Sequence, residues 1–248
     1  MEKIRYYNKN TGPSEENEKK AFQKALSLSK EIESIDQIVL LIHTKNNTGY
    51  IERIFGTRNV GKFFTGKVFD HYPSIKIETI KTFTNDYDGK KIVVALGLDS
   101  KELFKYDDYP NVIAIIAHQW RTDGVTDWAN SWQALEVTTG NKADAVKLPH
   151  PVVQEAFKNL TRTINLSTGI NHGSDEHQCK TYLRALNKYN FPLNSSEVQA
   201  YLTTQLNWSF ENTKDVIILI DKLSNGGYFK GGEKTGLKAY IKGWEAQI

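Results

Sequence analysis

Three unbroken apolar runs constrain this chain more than any other feature: Ile38-Val39-Leu40-Leu41-Ile42, Ile92-Val93-Val94-Ala95-Leu96 and Val112-Ile113-Ala114-Ile115-Ile116-Ala117. Each is flanked by polar residues and far too short to span a bilayer. A strand that is apolar at every position must be covered on both faces, and such strands belong to parallel sheets sandwiched between helices. Ser74–Thr79 alternates polar and apolar residues and predicts a half-exposed strand; Ile4–Tyr7 predicts a short first strand.

The segments between these runs read as helices. Asn10-Thr11-Gly12-Pro13 predicts a turn, and Ser14 a helix cap. Phe22, Ala25, Leu26 and Ile32 recur at helical spacing over 15–33. Shorter helices are expected at Gly49–Phe55, Ser100–Phe104 and Thr126–Leu135, the last with Trp128, Trp132 and Leu135 on one stripe. Alternation of strand and helix predicts a three-layer, Rossmann-like α/β domain over residues 1–140.

Beyond the glycine turn Thr138-Thr139-Gly140-Asn141, read as a hinge, no strand pattern follows. Five apolar stripes predict an all-α domain over 148–248. Pro151 suits a first helical position ahead of Val153, Ala156, Phe157 and Leu160. Cys179, Tyr182, Leu183 and Leu186 form the second stripe. Asn194 with Glu197 predicts a capped start for the third, which carries Val198, Tyr201 and Leu202. Val216, Ile217, Ile220 and Leu223 form the fourth, and Leu237, Tyr240, Ile241 and Trp244 the fifth. The glycine- and lysine-rich segment Gly226–Gly236 reads as a mobile loop.

Composition bounds the functional classes. The net charge of +3 comes from 32 basic and 29 acidic residues, intermixed along the chain. That is the signature of an ordinary solvated surface rather than of a nucleic-acid stripe. A single cysteine, Cys179, excludes an intramolecular disulfide. Met1–Arg5 lacks an apolar signal core, so a cytoplasmic location is expected, with no membrane partner. Oligomeric state is not encoded in any pattern here.

One resemblance bears on the opening residues. Tyr6-Tyr7, Asn10-Thr11-Gly12, Glu15, Ala21, Ala25 and Ile38–Ile42 give a short strand, an Asn-Thr turn, an amphipathic helix and a buried aliphatic strand. This resembles the α/β domain at the C-terminus of pyruvate kinases and its stand-alone bacterial relatives. It covers about fifty of the 248 residues. The family's Ser/Gly/Thr-rich turn is replaced here by His43-Thr44-Lys45-Asn46-Asn47-Thr48-Gly49. The resemblance implies an α/β fold and a role in binding a small ligand or anion rather than in catalysis.

In open α/β sheets ligands gather beyond the carboxyl ends of the strands. That rule selects three loops: His43–Gly49, Gly97–Lys101 and His118–Asp123. A small phosphate- or carboxylate-bearing ligand is expected there, held by His43, Thr44, Lys45, Ser100, Trp120 and Arg121. Arginine grips such groups bidentately, and helix N-termini at Ser14 and Ser100 would aim N–H groups at them. A hydrolase or transferase acting on a nucleotide-like substrate is the alternative, with His118 as base and Asp123 or Asp99 orienting it. No Gly-x-Ser-x-Gly elbow supports Ser100 as a nucleophile. His172, Asp175, His177 and Cys179 are all zinc-ligand types, but their spacing matches no zinc motif, and a helix start with Cys179 in the core is the expectation. The P-loop, dinucleotide fingerprint and EF-hand patterns are missing from the sequence, and no cofactor is expected. A third alternative is nucleic-acid association through Tyr228–Lys234 with Lys238 and Lys242.

Overall fold

The computed structural model describes residues 3–9, 14–69, 72–86 and 88–248. The turn expected at Asn10–Pro13 lies outside them. The chain divides into two units, Met1–Ala145 and Val146–Ile248.

In the first unit the described residues form one seven-stranded sheet, which joins the five expected strands to two short ones that the sequence pattern did not predict. Its strands are β1 (Ile4–Asn8), β2 (Ile35–Ile42), β3 (Lys67–Phe69), β4 (Tyr72–Thr79), β5 (Lys90–Leu96), β6 (Val112–His118) and β7 (Leu135–Glu136), in the order β3-β4-β2-β5-β6-β1-β7. Every neighbouring pair is parallel except β3–β4. Leu40 stands beside Ile77 on one side and Val94 on the other. The three apolar runs are thus adjacent central strands, which is why they need no polar face.

Helices α1 (Glu15–Glu31), α2 (Gly49–Phe55) and α3 (Thr57–Phe63) cover one face. Ala21, Ala25, Ile51, Val60 and Phe63 pack there on Ile38, Leu40, Ile42, Val94 and Ile116. Strand alternation turns Val39, Leu41, Val93, Ala95, Ile115 and Ala117 to the other face, and each is at most 1% exposed. There α4 (Ser100–Asp107) and α5 (Thr126–Trp132) pack together, tied by the Trp128 N–H donating to Ser100 Oγ at 3.2 Å.

Several local expectations change. Leu135 leaves the α5 stripe for β7, because Gln133 turns left-handed (φ 48°) and ends the helix. Ser100 is not the cap of α4. Asp99 is, in a reciprocal box with Glu102, while the Ser100 hydroxyl donates to the Gly124 carbonyl at 3.0 Å. Thr138–Asn141, read as a hinge, lies inside the first unit and is a closed turn: the Glu136 carboxylate accepts the N–H groups of Thr138 and Thr139, and Ala143 N–H returns to Ala134 O.

The second unit consists of α6 (Pro151–Thr163), α7 (Gly173–Lys188), α8 (Ser195–Gln205), α9 (Phe210–Ser224) and α10 (Leu237–Glu245). Their stripes meet in one core that contains Val153, Phe157, Leu160, Leu183, Leu202, Val216, Ile220 and Trp244. Asn194 caps α8 by accepting from Ser196 and Glu197 N–H. The glycine-rich segment is fastened rather than loose. Arg184 donates to the carbonyls of Phe229 and Gly231, Glu233 N–H donates to Thr181 Oγ1, and Phe229 is buried. Among the described residues, no helix is long and apolar enough to cross a membrane.

Candidate functional site at the carboxyl rim of the sheet

Because β2, β5 and β6 are parallel neighbours, their exits share one rim. The helices after β1 and β2 lie on one face, and those after β5 and β6 on the other. The crossover direction therefore reverses between β2 and β5 and again between β6 and β1, and crevices open where it does so.

At the first crevice the three loops meet around Gly97. His43 Nε2 donates to the Gly97 carbonyl at 3.0 Å, and His43 Nδ1 stands 3.3 Å from a Glu102 carboxylate oxygen. The Trp120 indole lies on Gly97 from the β6 side, so close that no side chain fits between them. Tyr50, from α2, meets Trp120 edge to face at 4.8 Å. Of the expected ligand set, His43 and Trp120 are thus brought together. Thr44, Lys45 and Arg121 are exposed around them, with Lys45 Nζ 5.7 Å above the Phe64 ring. Ser100 is buried and occupied with Gly124 and Trp128.

The residues of the hydrolytic alternative are engaged separately. His118 ends β6 and is fully buried, in register with Asn8. Asp99 is committed to capping α4. Asp123, on a left-handed backbone turn, accepts from Thr126 Oγ1 at 3.4 Å.

Sequence reasoning overlooked Glu18. It is 2% exposed and continues the buried stripe Ala21, Ala25, Leu28 by one turn. A carboxylate in register with a core stripe is the signal that marks it. Neither carboxylate oxygen has a hydrogen-bond partner of normal geometry, and the same holds for the buried Tyr50 hydroxyl and Trp120 indole N–H. Burial pushes the Glu18 carboxyl up to about 7; Glu15 adds to the rise, while exposed Arg53 and the Ser14 backbone N–H oppose it. Burial, with the Glu18 charge nearby, raises the Tyr50 phenol above its ordinary range.

The sign of the resulting pH dependence follows from linkage. The folded unit holds a proton on Glu18 between 4.5 and about 7 that the unfolded chain releases. This group's penalty is absent below the lower value, grows as pH rises, and is complete above the upper one. The unfolding free energy of the wild type should therefore fall by about 2–3 kcal/mol across that window relative to Glu18→Gln, as urea melts at several pH values would show. Parallel curves for the two proteins would refute the assignment.

A second rim feature lies at the ends of β1 and β7. A cleft of about 490 Å³ is lined by Tyr7, Lys9, Lys20, Glu136, Thr138, Thr139, Asn141, Lys142, Ala143 and Asp144. Glu136 commits one oxygen to two backbone N–H groups, and Lys20 pairs with Glu16 at 2.7 Å. Gln119 closes the neighbouring β6–β1 crevice by donating to the Lys9 carbonyl at 2.9 Å.

With this geometry in place, comparison with known proteins is informative only for the helical unit. A family model described as a domain of unknown function (DUF1889) matches residues 149–245. That match runs from the start of α6 to the end of α10. No curated protein and no solved structure matches the chain.

In the helical unit, Cys179 sits fully buried in the core, and its thiol is pushed up to about 12 by burial. His177 reaches Glu233 at 3.3 Å and accepts from Gly232 N–H, while His172 bonds Ser174. Among the described residues, no three His, Cys, Asp or Glu side chains could hold a metal ion. Of the basic segment considered for nucleic acid, Tyr228 and Lys230 are exposed, and Phe229 is part of the core.

Proposed function

We propose that the α/β unit binds a small anionic ligand, bearing a phosphate or carboxylate, at the carboxyl rim of its sheet. The observation that carries this reading is the cleft at the ends of β1 and β7, where Lys9, Lys20 and Lys142 converge beside the hydroxyls of Thr138 and Thr139. Ammonium groups attract such a charge, and threonine hydroxyls can donate to its oxygens. Glu136 and Asp144 in the same wall limit the attraction and favour a ligand that also offers a donor. The hydrolytic reading would need Asp99 or Asp123 to orient His118; those carboxylates instead serve the start of α4 and Thr126.

Calorimetric titration of the full chain with inorganic phosphate, sugar phosphates and dicarboxylates tests the proposal. Lys20→Glu with Lys142→Glu should weaken the best ligand by at least about tenfold. If Lys45→Ala with Arg121→Ala abolishes binding instead, the charge is held at the β2 and β6 exits. If no anionic ligand binds or raises the melting temperature, the proposal is wrong.

A further inference from the structure

We propose that the cleft at the ends of β1 and β7 takes an amino-bearing acid, a small molecule that carries a free ammonium group together with a carboxylate or phosphate. The inference rests on the reading of this cleft as the ligand site and names the class of molecule it selects. It starts from the charges that line one cavity. Lys9, Lys20 and Lys142 share it with Glu136 and Asp144. Lys20 is offset by Glu16, its partner at 2.7 Å. Among the described residues, Lys9, Lys142 and Asp144 form no ion pair. Two unpaired ammonium groups thus balance two carboxylates in a cavity of about 490 Å³, which has room for a molecule of amino-acid or amino-sugar size.

The backbone places both signs of charge. Glu136 stands in register with Tyr7 on the adjacent parallel strand, so the two side chains project side by side from one face of the sheet. One Glu136 oxygen is committed to the Thr138 and Thr139 N–H groups, which fixes the carboxylate and keeps its charge in the cleft wall. Glu136 N–H donates to the Asn141 carbonyl, and Ala143 N–H to the Ala134 carbonyl, both at 2.8 Å. Those two bonds bring the chain back along β7 and deliver Lys142 and Asp144 to the cleft together. Burial, then the Glu136 and Asp144 charges, push the Tyr7 phenol above its ordinary range, so it stays protonated and both donates and accepts. A plain anion gains from the lysines here and loses to the two carboxylates, and a plain cation meets the reverse. A molecule of both signs gains from each set, and like-charge repulsion rejects the competitors that lack one. Exposed ion pairs contribute little, so leaving Lys142 and Asp144 unpaired costs the fold little and keeps both for a ligand.

Calorimetric titration of the full chain with two matched pairs tests the proposal: L-aspartate against succinate, and glucosamine 6-phosphate against glucose 6-phosphate, with inorganic phosphate as the plain anion. The ammonium group is the difference within each pair. In at least one pair the amino member should bind at least about tenfold tighter, and the pair that does so tells a carboxylate from a phosphate ligand. Asp144→Asn should erase that preference. It should weaken the amino member and strengthen its partner, because the lost carboxylate attracted the one and repelled the other. Asp144 is exposed, so this variant should keep the wild-type melting temperature. Equal binding within both pairs, or a preference that survives Asp144→Asn, overturns this inference and leaves the anion reading standing. So does binding of phosphate alone. Failure of all five molecules to bind overturns both.

Discussion

Gly97→Ala should destabilise the α/β unit by about 4 kcal/mol and displace Trp120 from the rim. Two costs combine. The residue has φ 75°, a left-handed conformation that an L side chain adopts only with strain. A Cβ there would also stand 2.4 Å from Cδ2 and Cε3 of the Trp120 ring. The indole is also held by Tyr50, edge to face at 4.8 Å. Relief must come from moving Trp120 as a whole, which also removes the contact that fixes Tyr50. Urea unfolding would measure the loss, and near-ultraviolet circular dichroism would report the aromatic rearrangement. Gly49→Ala is the control. Gly49 begins α2 without a positive φ, and a Cβ added there would meet no atom within 4 Å, so stability should hold or rise slightly. Equal behaviour of the two variants would refute the packing argument.

The second large effect is expected at the opposite end of β1. The Asp107 carboxylate is buried and accepts two bonds from Arg5 Nε, at 2.9 and 3.1 Å, and one from the Trp128 indole at 3.3 Å. Lys3 stands 3.8 Å away, its ammonium pushed below the usual lysine range by burial. Arg5 also lies 3.7 Å over the Trp132 ring. One acidic side chain thus ties the end of α4 to β1 and to α5. Asp107→Ala would leave two largely buried cations without their counter-charge, at a cost of about 3–5 kcal/mol. Because the network is shielded from solvent, the loss should persist in high salt, unlike that of a surface pair. A change below about 1 kcal/mol, or one erased by salt, would show that the network adds little.

The site was legible in the sequence only in part. The three apolar runs marked their own exits, so the sequence placed His43, Gly97 and Trp120 in loops that the fold brings into contact. Glu18 was hidden among the charged residues of α1, since a helix rich in Glu and Lys offers no local reason to single out one carboxylate. Its charge bears on Tyr50, distant in sequence, only once the chain has folded. Lys142 was likewise out of view: it reaches the rim because the turn after Glu136 doubles back, a geometry set by backbone hydrogen bonds to one carboxylate. Short elements such as α3 and β3 escaped because seven and three residues carry too little periodicity.

What the sequence determined unaided was architecture: continuous apolar strands that demand cover on both faces, and apolar helical stripes that demand one another. Both follow from burial, which each segment expresses in its own local pattern. Tertiary structure alone decided which polar groups meet, which are taken up by caps and turns, and which are left without partners at the rim. Hydrogen bonding is directional and short in range, so its outcome depends on positions that residues far apart in the chain reach only after folding.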